Sequence, residues 1–122
     1  MRRRDSEDIP YAYYFKAFGF PTPDMEVRFH GQRRWRMDFV FPGKVAVEVD
    51  GLFGAHGHVG GHRSVSGKLN DNEKSNEAQI LGYMVLRFTP REIRSGQFVD
   101  TLTRALQERA KVGQRPPKEK GA

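Results

Sequence analysis

The chain has 122 residues, of which 37% are hydrophobic, 30% charged and 11% aromatic, enough for one modest hydrophobic core. No apolar run approaches the roughly 20 residues of a transmembrane helix. The Met1-Arg2-Arg3-Arg4 start lacks the apolar stretch of a secretory signal, and the absence of cysteine excludes disulfides and thiolate chemistry, so a cytoplasmic location is expected, with no membrane partner. Lys and Arg outnumber Asp and Glu 21 to 15, a balance that suits a polyanionic partner or a merely solvated surface.

Tyr11 to Phe18 reads as an aromatic-rich helix with Pro10 in its first turn and Gly19 at its end. Met25 to Phe29 alternates apolar and polar residues and predicts a strand; Gly31-Gln32 predicts a turn. Arg34 to Phe41 predicts a second strand, with Trp35, Met37, Phe39 and Phe41 on one face, and Pro42-Gly43 a further turn. Lys44 to Asp50 carries the strongest β-branched run and suits a central strand buried on both faces. Gly51 to Gly67 reads as a loop rich in glycine and histidine.

Asn70-Asp-Asn-Glu73 has the form of a capping box, predicting a helix from Asn70 to about Leu81, with Gly82 as its stop. Tyr83 to Phe88 predicts a strand. Thr89-Pro90-Arg-Glu92 predicts a second capping box, and Phe98, Leu102, Ala105, Leu106 and Arg109 recur at helical spacing. The order α-β-β-β-α-β-α predicts an α/β fold, a single domain over residues 1–110 with a mixed β-sheet flanked by helices. Residues 111–122 form a basic tail expected to be disordered.

Two carboxylates stand out. Asp38 interrupts an apolar strand, and Glu48 sits inside Val45-Ala-Val-Glu-Val, where a charge needs a partner or a metal. Antiparallel strands joined at Pro42-Gly43 would bring them together, with Asp50 on the face of Glu48. Hard oxygen ligands of this kind suit Mg²⁺ or Mn²⁺; the competing reading pairs a carboxylate with Arg36 or Arg87.

The blocks Arg36-Met-Asp38-Phe39, Glu48-Val-Asp50-Gly51, Asp71-Asn-Glu-Lys74 and Leu81-Gly-Tyr-Met-Val-Leu-Arg-Phe88, in this order, resemble the PD-(D/E)XK nuclease core. Together they resemble the branch around the very short patch repair endonucleases and their small, often phage-borne relatives. The resemblance spans roughly residues 25–94. It implies a restriction-endonuclease-like sheet and a metal-dependent DNA endonuclease that hydrolyses phosphodiester bonds with Mg²⁺ or Mn²⁺. On this resemblance Asp38 and Glu48 would hold the metal, helped by the Val49 carbonyl. Asp50 stands where the commoner pattern has lysine, so Lys74, one helical turn from Asp71, or His58 would supply the missing group. Many members carry a glutamate on the first helix; here that helix has none, and Glu7 and Glu26 are its nearest substitutes.

Three further features bear on partners. Arg33, Arg34, Arg36 and Arg87 are candidate phosphate contacts on DNA. Trp35 fits either the apolar strand face or a stacking role. His56, His58 and His62 form a glycine-flanked group that fits a nuclease loop, a zinc site or a passive loop. The competing functions are a DNA-junction resolvase of the same fold acting as a homodimer through the aromatic first helix, a non-catalytic DNA-binding module on a decayed nuclease fold, and a zinc hydrolase.

Overall fold

Pro10 fixes the entry to the first helix, α1 (Tyr11–Ala17), as its N-cap, one position earlier than the sequence pattern suggests. The helix closes when Gly19 N–H donates to Lys16 O and Phe20 N–H to Phe15 O, a Schellman ending that turns the chain toward the sheet. The computed structural model describes residues 9–50 and 65–114, except the side chains of 65–68 and 113–114.

Strands β1 (Asp24–Arg28), β2 (Arg36–Phe41) and β3 (Val45–Val49) form an antiparallel meander. Helix α2 (Val65–Ile80) then crosses over, and β4 (Met84–Phe88) pairs with β3 in parallel, giving the order β1-β2-β3-β4. Two helices follow, α3 (Pro90–Ser95) and α4 (Val99–Gln114). The protein is therefore a single small α/β domain with a four-stranded mixed sheet and flanking helices, as the element order predicts. Among the described residues no helix is long and apolar enough to cross a membrane.

One face of the sheet packs on α1, α3 and α4. Phe15 is fully buried there, its ring edge-on to Phe39, Phe41 and Phe98 at centroid distances of 5.0, 5.1 and 5.4 Å. Val45, Val47, Phe88, Ile93, Leu102 and Ala105 complete this cluster. The aromatic run of α1 thus serves the core through Phe15, while Tyr13 and Phe18 remain exposed. The opposite face packs on α2 through a smaller cluster of Met37, Ala46 and Ala78. With Val45 to Glu48 buried, β3 is the two-sided central strand expected from its sequence.

Four local expectations change. Met37 does not share a face with Phe39 and Phe41: it joins the α2-side cluster with Val40, so strict alternation breaks across Asp38. The break coincides with a gap in the β1–β2 ladder, where pairing skips Glu26 (φ 53°) on β1 and Asp38 on β2 without a change of register. Asn70 does not cap α2, because the helix begins five residues earlier, at Val65, and the Asn70 side chain is used in a tertiary contact. The last helical segment is two helices: the Thr89–Glu92 capping box forms as expected, with Pro90 in the first turn, but Gly96 at φ 85° stops α3. A left-handed backbone there is accessible to glycine without strain. Finally, α4 continues through residues 111–114 of the expected tail. Residues 115–122 lie outside the described residues.

Candidate active site

Asp38 and Glu48 meet where the β2–β3 ladder ends. Backbone pairing runs from Phe41↔Val45 to Phe39↔Val47, and side chains then replace it. Asp38 N–H donates to Glu48 Oε2 at 2.8 Å, and Val49 N–H donates to Asp38 Oδ2 at 2.8 Å. Each carboxylate thus satisfies a backbone donor that the open ladder would leave without a partner. The turn at 42–44 makes the strands neighbours, and the carboxylates mark where they stop exchanging backbone bonds.

Glu48 is the buried charged residue of the described chain, 7% exposed. Its second oxygen, Oε1, accepts from Lys74 Nζ at 2.7 Å. Burying a carboxylate costs several kcal/mol unless a cation and hydrogen bonds compensate, and here both are present. Asp38 is half-buried. Removal from water is the main cause that raises its pKa above the ordinary value; the negative charges of Glu48 and Glu26 add to this, while the Val49 N–H and the Lys74 charge oppose it.

The expected site residues divide into four groups. Asp38, Glu48, Val49 and Lys74 come together directly. Asp50 and Arg87 pair with each other at 3.1 Å, at an exposed position just beyond β3. Arg87 is therefore engaged by Asp50, and the cation at Glu48 is Lys74. Arg34 and Arg36 are exposed. Arg33 is also exposed but occupied: its guanidinium lies 4.0 Å over the Trp35 ring, donates to Asn70 Oδ1 at 2.8 Å and sits 3.5 Å from Glu73. Trp35 also lies near-parallel to Phe29, with planes 15° apart and ring centroids 6.3 Å apart. His56, His58, His62 and Glu7 lie outside the described residues.

Pattern reading missed His30. Its Nδ1 accepts the N–H groups of Gln32 and Arg33, and its Nε2 lies 3.0 Å from Glu77 Oε1. The available signal was its place just before Gly31-Gln32, where a ring nitrogen can accept from the backbone two and three residues ahead.

The described residues hold no group of three or more acidic, histidine or cysteine side chains able to bind a metal. What they provide is a pair of carboxylates in contact through Asp38 N–H, and an ionised carboxylate has about four lone-pair sites, so each oxygen engaged here keeps capacity. A small hard cation that retains waters and uses one or two carboxylates fits this donor set; a zinc site of three protein ligands does not.

Comparison with protein-family models, curated proteins and solved structures finds no match for this chain.

Proposed function

We propose that this protein is a metal-dependent DNA endonuclease, its mixed sheet being of the restriction-endonuclease-like kind. The observation that carries the reading is the cluster of Asp38 and Glu48 at the opened end of the β2–β3 ladder, with Lys74 of α2 on Glu48 Oε1. The ordered blocks of sequence that resemble the PD-(D/E)XK core supply the reaction class, and the excess of basic residues supports a DNA partner.

Asp38 and Glu48, with the Val49 carbonyl, would hold Mg²⁺ or Mn²⁺, which supplies Lewis acidity to a phosphate and lowers the pKa of a bound water. Lys74 donates a short charge-assisted hydrogen bond to Glu48 and provides the cation that Asp50 cannot. Asp50 instead holds Arg87 at the mouth of the site, where a guanidinium can meet a flanking phosphate. Arg36 at the start of β2 and Arg34 just before it are exposed and would add further phosphate contacts. His58 would act as the general base, or the metal held by Asp38 and Glu48 would activate water without one, and the two cases differ in pH profile: a histidine base makes the rate rise through about pH 6.5.

The deciding experiment is cleavage of supercoiled plasmid, linear, single-stranded and four-way-junction DNA with Mg²⁺, Mn²⁺ or EDTA. Metal-dependent cleavage that is lost in Asp38→Asn is expected, together with loss of Mn²⁺ binding measured by electron paramagnetic resonance. Selective cleavage of the junction would identify a resolvase. DNA binding with no cleavage under any metal would overturn the endonuclease assignment in favour of a binding module.

A further inference from the structure

Helix α2 brings Lys74 to Glu48, yet apolar packing does little to hold it. Among its described side chains only Ala78 is buried, and a methyl group offers little area. The helix instead meets the rest of the chain through a polar stripe. Asn70, Glu73, Lys74 and Glu77 follow the i, i+3, i+4, i+7 spacing of one helical face. Three of the four contact the segment between β1 and β2. Asn70 Oδ1 accepts from Arg33 Nη2 at 2.8 Å and from Trp35 Nε1 at 3.3 Å. Glu73 pairs with Arg33 at 3.5 Å, and Glu77 receives His30 Nε2 at 3.0 Å. Lys74 stands between these attachments and points to Glu48.

His30 occupies the key place in this arrangement. Two backbone N–H groups donate to Nδ1, so Nδ1 carries no proton and Nε2–H is the donor to Glu77. One ring therefore shapes the turn that presents Arg33 and also fastens that turn to α2. Phe29 and Trp35 contact the ring edge-on, at 6.4 and 5.3 Å between centroids.

We infer that His30 is a positioning residue: through Glu77 and the turn that presents Arg33, it sets the place of α2 and so holds Lys74 on Glu48. This deepens the proposed function, on which the chemical task of Lys74 rests, but the contact itself can be measured without DNA.

The test is a double-mutant cycle between Lys74→Met and Glu48→Gln, read as shifts of the urea midpoint, in the wild-type, His30→Ala, Glu77→Ala and Glu77→Gln backgrounds. In the wild-type background the double variant should lose less than the two single variants together. In His30→Ala and Glu77→Ala the single effects should become additive, because Lys74 no longer sits on Glu48. Glu77→Gln keeps an acceptor for Nε2–H and should restore the coupling. A merely structural role would lower every midpoint alike and leave the coupling unchanged, and that result would overturn the inference. Glu77 is 40% exposed at its side chain, so its variants keep the test open if His30→Ala fails to fold. Absence of cleavage by the wild-type protein would sink the nuclease reading, while the cycle would still decide the role of His30.

Discussion

Lys74 Nζ lies 2.7 Å from Glu48 Oε1, joining the middle of the crossover helix to the central strand across the α2 face of the sheet. Glu48 is nearly inaccessible and Lys74 only 20% exposed at its side chain, so the pair operates where water screens little. The same face presents Asp38, and the three groups sit together at the edge of the opened ladder.

Removing one partner of such a pair strands a charge. Lys74→Met should destabilise the fold by about 3 kcal/mol. Adding Glu48→Gln should recover part of that loss, since the uncompensated carboxylate is then gone. Urea unfolding of the four proteins in the cycle checks this, and strict additivity would contradict it.

Asp38 makes stability depend on pH in a direction that can be worked out. Burial raises its folded pKa above the unfolded value, so between the two values the folded chain binds more protons. Stability contributed by Asp38 is therefore present at low pH and declines as pH rises through the folded pKa. Asp38→Asn retains an oxygen for Val49 N–H and cannot ionise. Relative to wild type it should gain stability as pH rises from acid toward neutral, measured by unfolding at several pH values. A difference between the two proteins that stays constant with pH would count against the account.

DNA affinity should fall steeply with salt, because each phosphate neutralised releases counterions. Arg34→Ala and Arg36→Ala should each flatten the logarithmic salt slope by roughly 0.9 and weaken all sequences alike. Arg33→Ala should behave differently, since Arg33 is committed to Trp35, Asn70 and Glu73; its main effect should be on stability. Fluorescence anisotropy titrations across salt concentrations, paired with thermal melts, separate the two classes.

Phe15 anchors the other face of the sheet. Truncation of a fully buried phenylalanine costs about 3–5 kcal/mol, and three edge-on ring contacts are lost with it. Phe15→Ala should therefore lower the unfolding midpoint more than Tyr13→Ala, since Tyr13 is 56% exposed. Equal midpoints for the two variants would contradict the packing described for α1.

Where short-range chemistry decides conformation, the residues could be read directly from the chain. Gly82, at φ 92°, ends α2 because a left-handed residue lets Gly82 N–H reach Gln79 O and Tyr83 N–H reach Ala78 O. Thr89 and Glu92 start α3 by satisfying each other's backbone donors within one turn, and Pro90 in that turn has no N–H to satisfy. The β-branched run of β3 announced a strand buried on both faces, and the spacing of Asp38 and Glu48 about a tight turn announced their meeting. Contacts between distant segments settled the rest. Asn70 has the local form of a cap, but Arg33 and Trp35, more than thirty residues earlier, claim its oxygen, and the helix runs past it. Met37 leaves the face of Phe39 because the ladder opens at Asp38, which no period-two pattern encodes. His30 stood out in no local pattern, and its role appears only because α2 places Glu77 beside it. Which cation Glu48 takes, Arg87 one strand away or Lys74 on the crossing helix, depends on how α2 lies across the sheet, and that is a property of packing rather than of any local stretch of chain.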